Sequence, residues 1–276
     1  MPFSWIALGS YGRREPFPAS DGDSAIAWEG PDDPEVADAL RAIAERVIAG
    51  MAAAGIRPCP EGAVASSSLF ARSLGGWERA ADGWLADPDR ARGLTLLAVA
   101  VEGATVTGHV ALAQRLAEAF ERAPTREATL RRLAIGALGR RPPTGFLRDL
   151  VLERRGRRRG VLDIKEAGVA PIVDLARWAA LAAGVTAAST GERLRAAADR
   201  GTLDADDAAV LGEAFELLCA LRIEHQVDRI RNGLPPDDLV EPSRLTPLSR
   251  RGLREAFRAI NRVQRGVAVQ LGVRAR

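Results

Sequence analysis

From residue 3 to residue 9 the chain reads Phe-Ser-Trp-Ile-Ala-Leu-Gly, a short apolar stretch ending at glycine that predicts a buried strand. Residues 10–15 are polar and predict a short helix, broken by Pro16 and Pro18. Residues 24–28 predict a second strand, and Glu-Gly-Pro-Asp-Asp-Pro after it a loop. Val36, Leu40, Ile43, Val47 and Met51 recur at helical spacing, so a helix is expected over 34–54, stopped by Gly55. Leu69, Leu74, Trp77 and Trp84 predict another over 66–86. The mostly apolar run at 94–102 predicts a strand, Gly108 opens a helix to about Phe120, and a further helix covers 126–138.

After Pro142 and Pro143 the pattern predicts a β-hairpin, with arms at 146–153 and 161–164. From Gly168 onward every periodic segment is helical. Ser189 and Glu192 fit a capping box, and long helices are expected over 204–232 and 247–271. The last carries Leu253, Phe257, Ile260, Val263, Val267 and Leu271 on one face. The fold class is therefore α+β. A mixed sheet with helices occupies 1–122, and a helical bundle occupies 123–276, opening with a helix and the hairpin at 146–164.

Composition narrows the function. The 276 residues suffice for one large domain or two modest ones, and 47% hydrophobic with 27% charged residues belongs to the soluble globular class. No apolar run approaches the ~18 residues that cross a bilayer, and the N-terminus lacks a signal peptide's basic start and apolar stretch. A cytoplasmic protein without membrane contact is expected. Cys59, Cys219, His109 and His225 make neither a disulfide framework nor a zinc site, and no thiol chemistry is expected of the cysteines. The five tryptophans, Trp5, Trp28, Trp77, Trp84 and Trp178, lie within apolar patterns and are expected in the core. Net charge is only +3, and the densest basic cluster (Arg154, Arg155, Arg157, Arg158 and Arg159) is interrupted by Gly156 and followed by Gly160. It reads as the hairpin turn rather than a nucleic-acid stripe, so no DNA partner is expected. Lys165 is the chain's only lysine. A compact ammonium kept where arginine is otherwise used throughout is a candidate phosphate contact.

The chemistry concentrates near the N-terminus. Gly9-Ser10 leaves the first strand in a turn able to present backbone N–H groups to an anion. After ten intervening residues comes Asp21-Gly22-Asp23, entering the second strand. Carboxylates two residues apart on an extended chain share a side and repel unless a cation lies between them. Mg²⁺ takes such hard oxygen ligands and leaves positions open for substrate phosphates. A phosphate cradle followed by a carboxylate pair suits metal-assisted nucleotidyl transfer.

Leu8-Gly9-Ser10-Tyr11-Gly12-Arg13-Arg14-Glu15 followed by Ser20-Asp21-Gly22-Asp23 resembles the polymerase-β-type nucleotidyltransferase superfamily. It is most similar to the signal-transduction nucleotidyltransferases of bacteria, which often follow cyclic-nucleotide-binding and CBS domains. These are relatives of PII uridylyltransferase and glutamine synthetase adenylyltransferase. The resemblance extends to Cys59-Pro60-Glu61-Gly62-Ala63-Val64-Ala65-Ser66, to Pro142-Pro143-Thr144-Gly145-Phe146 and to Leu162-Asp163-Ile164-Lys165. It implies transfer of a nucleoside monophosphate from a triphosphate to a hydroxyl of a protein or small molecule, in signalling. Mg²⁺ or Mn²⁺ would be held by Asp21, Asp23 and a third carboxylate on a later strand, which falls at Glu102 where the family usually has aspartate. Gly9, Ser10, Gly12, Arg13 and Lys165 would bind the nucleotide, whose base is open. Gly22 stands where the family has a bulkier residue. Relatives usually carry sensory segments ahead of this region, so a fragment, or sensory domains on a separate chain, is expected.

The helix at 204–232 adds a second candidate surface. Leu211, Phe215 and Leu218 share a side that continues with Arg222, His225, Gln226 and Arg229. A stripe that turns from apolar to polar suits a cleft for nucleotide or acceptor. The rival readings are a nucleotide-binding regulatory module without turnover, for which Glu102 and Gly22 speak, and an interaction protein whose helical half docks a partner.

Overall fold

The computed structural model describes residues 1–89, 92–121, 123–143, 160–186 and 189–273. It divides into two compact units. The first is Met1–Leu130 with Gly184–Ser189, and the second is Arg131–Ala183 with Thr190–Arg276.

The first unit is built on β1 (Phe3–Ala7), β2 (Ser24–Trp28), β3 (Ala71–Ser73) and β4 (Ala104–Gly108), in the order β3-β2-β1-β4. β1 runs antiparallel to both β2 and β4, whereas β2 and β3 are parallel. β2 is buried at every position and β1 from Ser4 onward. Strands covered on both faces read as unbroken apolar runs rather than alternating ones, which is how these two segments read. The helix α2 (Pro34–Ala53) packs Val36, Ala37, Ile48 and Met51 against Trp5, Ile26 and Trp28. Its start is fixed locally: Asp33 accepts a hydrogen bond from the Glu35 N–H at 2.9 Å, with Pro34 in the first turn. All five tryptophans are buried.

Two expected elements differ. The segment 66–86 is helical only as α3 (Leu74–Ala86). The serine run before it turns the chain, and Ala71-Arg72-Ser73 pairs with β2 instead. Ser73 then caps α3 by accepting from the Gly76 N–H at 2.9 Å. The run at 94–102 is not a strand but a helix, α4 (Gly93–Ala100). A short, mostly apolar run carries no sustained alternation, so its pattern does not separate a buried strand from a buried helix. Leu96, Leu97 and Ala100 are buried while Thr95 is exposed, a helical spacing. The fourth strand is the next segment, β4, and Gly108 ends it at φ +102° before α5 (Val110–Phe120) begins. α1 (Gly9–Gly12) is a single turn, shorter than expected.

The second unit contains α6 (Glu127–Gly139) from Arg131 onward, α7 (Ala170–Ala182), α8 (Thr190–Asp199), α9 (Ala205–Arg231) and α10 (Pro247–Gln270). Two short strands, β5 (Leu162–Asp163) and β6 (Leu239–Val240), pair antiparallel, so the region after Gly168 is not purely helical. The first arm of the expected hairpin and the arginine turn lie outside the described residues. Asp204 caps α9, with Asp206 and Asp207 in its first turn and Arg229 and Arg231 in its last, matching the helix dipole at both ends. Gly168 lets the chain close on the bundle: an added Cβ would stand 2.9 Å from both Leu218 and Phe257. No described helix is long and apolar enough to cross a membrane.

Candidate active site

The site gathers where β1 ends and β2 begins. The Leu8 N–H donates to the Asp23 carbonyl at 3.0 Å, tying the two strand ends together. Gly9 follows at φ +56°, the left-handed region that glycine enters without strain. A Cβ there would collide with the Asp23 carboxylate, so the turn and the carboxylate are built against each other. The first intrahelical bond of α1 runs from the Gly12 N–H to the Leu8 carbonyl at 3.1 Å. The N–H groups of Gly9, Ser10 and Tyr11 come before it and have no acceptor within the helix. Arg14 stands at φ 62°, a costly position for a side chain with a Cβ, and the chain turns there toward Pro16.

Asp21-Gly22-Asp23 is held from its other side by residues 57–65. Gly22 pairs in parallel with Pro58, and its N–H donates to the Arg57 carbonyl at 2.7 Å. The Ser24 N–H donates to Ala63 at 3.0 Å, and the Ser24 hydroxyl accepts from the Ala65 N–H at 3.2 Å. Gly22 has its own packing reason, since a Cβ would stand 2.9 Å from Ile56 and 3.0 Å from Met51. Arg57 reaches around the rim, donating to the Ala19 carbonyl at 2.6 Å and lying 3.3 Å from Asp21 Oδ1. Cys59, one residue past Pro58, hydrogen-bonds the Asp23 carboxylate. Burial, that hydrogen bond and the carboxylate's charge push its thiol up to about 11.

Glu102 sits in the turn between α4 and β4, not on a strand, and is buried. Its Oε2 pairs with Arg13 Nη1, while Arg13 Nε donates to Glu15 at 2.9 Å. Gly12 closes this corner, because a Cβ there would overlap the Glu102 carbonyl oxygen and stand 2.8 Å from the Ala7 carbonyl oxygen. The structure thus brings Gly9, Ser10, Gly12, Arg13, Asp21, Asp23 and Glu102 to one end of the sheet.

The donors suit a hard divalent cation shared with substrate. Mg²⁺ is usually held by one or two carboxylates plus phosphates and water, and the Asp21–Asp23 pair offers that set. Glu102 gives an oxygen to Arg13 instead, and among the described residues no three His, Cys, Asp or Glu side chains gather as a closed metal cluster.

The remaining candidates lie in the second unit. Lys165 is half-buried and opens a π-helical turn, Lys165–Val169, in which the Ala170 N–H bonds back to the Lys165 carbonyl. Pro171, lacking an N–H, explains the wider turn just before it. The polar stripe of α9 grips the loop that follows the helix. Arg222 forms two bonds to Asp238, 2.6 and 3.0 Å, and Gln226 adds a third at 2.6 Å. His225 lies 2.9 Å from Asp237 and Arg229 3.0 Å from the same carboxylate. The Asp238 carbonyl then accepts the Ile164 N–H at 2.9 Å, one residue before Lys165. These side chains hold the strand leading to Lys165.

Cys59 and Arg57 were not expected at the site. The similarity of the Cys59-Pro60 segment marked the place, but no pattern in a single sequence tells that residues 57–65 run beside Asp21–Ser24. Residues 1–91 match the family model described as "Putative nucleotidyltransferase DUF294". Residues 127–271 match the one described as "Putative nucleotidyltransferase substrate binding domain". A search of curated proteins returned no match.

Proposed function

Because the chain belongs to this nucleotidyltransferase family, we propose that it moves a nucleoside monophosphate from a triphosphate to a hydroxyl of a protein or small-molecule acceptor. The observation that carries the reading is the fit of Gly9 against Asp23, which sets a turn whose first N–H groups have no acceptor within their own helix directly on a carboxylate. The N–H groups of Gly9, Ser10 and Tyr11 cradle phosphate oxygens. Asp21 and Asp23 would hold Mg²⁺ or Mn²⁺, which neutralises triphosphate charge and makes the α-phosphorus easier to attack. Cys59 and Arg57 orient the two aspartates. Glu102 and Glu15 together fix Arg13 in the corner beside the cradle. The acceptor hydroxyl gives up its proton to water, its oxygen bonds to the α-phosphorus, the bond to the β-phosphate oxygen breaks, and pyrophosphate leaves. Fixed donors and charges around the phosphates are the main means of lowering such a barrier. The resemblance to signal-transduction nucleotidyltransferases supports a regulatory setting.

The test is label transfer from each α-labelled triphosphate, with Mg²⁺, in lysate. Asp21→Ala and Asp23→Ala are each expected to lower transfer by about 100-fold or more. Transfer that survives both substitutions removes the carboxylate pair from the mechanism. One observation favours a second reading, nucleotide binding without turnover: Arg13 already occupies the third carboxylate. That reading requires triphosphate binding in the wild type with no label transferred to any acceptor.

A further inference from the structure

The second unit contains a pocket of 250 Å³ lined by Arg141, Arg258, Asn261 and Arg265. Three guanidinium groups and an amide surround it, with no carboxylate among these four. On α10, residues 258, 261 and 265 fall at helical spacing and so share a face. Arg141 comes from the chain just after α6. The two walls are fastened to each other: buried Gln264 donates to the carbonyls of Ala137 at 2.9 Å and Arg140 at 2.8 Å, and Asn261 lies 3.4 Å from the Pro142 carbonyl.

The charges are incompletely matched. Arg258 pairs with Glu255 at 2.9 Å. Arg141 uses its Nε toward the Leu138 carbonyl at 3.4 Å, but its Nη2 is buried and bonded to nothing among the described residues. Among the described residues no carboxylate pairs with Arg141 or Arg265. A buried guanidinium nitrogen without an acceptor is costly, since it has lost water and gained no partner. A multivalent oxyanion is what such a fork accepts best, because phosphate offers paired oxygens at matching spacing and more charge than a carboxylate. The volume lies below the roughly 300–1,000 Å³ of pockets that enclose whole drug-sized ligands, so it admits an anionic group rather than a whole nucleotide.

We propose that Arg141, Arg258, Asn261 and Arg265 form a binding site for the phosphate group of a small phosphomonoester. This site is built from residues of the second unit alone and does not depend on nucleotidyl transfer by the first. Arg141 supplies one guanidinium from the chain after α6, Arg258 and Arg265 supply two more from α10, and Asn261 adds an amide.

Binding is measured directly on the full chain, by isothermal titration without nucleotide or metal. The probes are inorganic phosphate, the phosphomonoester glycerol 3-phosphate, and acetate as a carboxylate control. Phosphate and the ester are expected to bind, with acetate at least 10-fold weaker. Arg265→Gln, at an exposed position, and Arg141→Gln are each expected to weaken phosphate at least 10-fold. Asp21→Ala/Asp23→Ala is expected to leave it unchanged. Arg265→Gln keeps the test decisive if Arg141→Gln fails to fold. Absence of phosphate binding by the wild type, acetate binding as well as phosphate, or unchanged affinity in Arg265→Gln would each overturn the proposal. A protein that binds phosphate here but transfers no label would leave this site standing and remove the proposed reaction alone.

Discussion

Gly9 shows how much one side chain decides here. Its φ of +56° and its closeness to the Asp23 carboxylate both exclude a Cβ. Gly9→Ala is expected to cost about 1–2 kcal/mol from the left-handed backbone alone. It is also expected to displace Asp23, so transfer should fall far more than the loss of folded protein accounts for. Urea unfolding and label transfer on the same preparation separate the two effects. Cys59 gives a second residue-level prediction. Its thiol is raised to about 11 from 9.0, so the folded state holds its proton more tightly than the unfolded chain. Stability is fully present below about pH 9 and falls as the pH rises toward 11. In metal-free protein, alkylation of Cys59 is expected to remain slow at pH 8 and to accelerate only when unfolding is induced, followed by mass spectrometry. Equal labelling rates in folded and unfolded protein at pH 8 count against the raised thiol. The glycine and the aspartates were legible in the sequence because their chemistry depends on residue type and order. The role of Cys59 was not, because its partner lies 36 residues away across a pairing between Gly22 and Pro58 that no local pattern encodes.

Among the elements, those with caps and strong periodicity were legible: α2, α9 and α10 lie close to where spacing and N-cap residues place them. The failure at 94–102 has a definite cause. A short, mostly apolar run satisfies strand and helix alike, and what decides between them is that β4, two residues past Val101-Glu102, takes the place beside β1. Glu102 consequently enters the site from a turn, where Arg13 can reach it. The polar stripe of α9 was legible as a pattern but not as a grip on its own following loop. Arg222 and Asp238 are both mostly buried, and removing one partner of such a pair is expensive. Asp238→Ala is expected to lower stability by about 3 kcal/mol, read as a shift in the urea midpoint with unchanged slope. Arg222→Met with Asp238→Leu is expected to recover most of that loss. A double variant no better than the single would show that Asp238 matters through its loop rather than through the pair.

Across the whole molecule, the α+β arrangement and the helical C-terminal region were readable from the change of hydrophobic rhythm after Gly168. The return of the chain was not. Residues 184–189 group with the first unit although residues on both sides of them group with the second. A fragment ended at Leu130 keeps all four strands of the large sheet but lacks this segment. Its calorimetric melting temperature is expected to lie below that of the first unit within the full chain, and an equal temperature would show that the segment adds nothing. The same path bears on how such a protein can change over evolutionary time. Recombination joining two genes at one point exchanges a continuous stretch of sequence, and no single crossover carries the first unit across whole without taking residues 131–183 of the second with it. A chimera crossed near residue 130 would inherit its sheet from one parent and residues 184–189 from the other, so that contact would have to remain compatible for the exchange to survive.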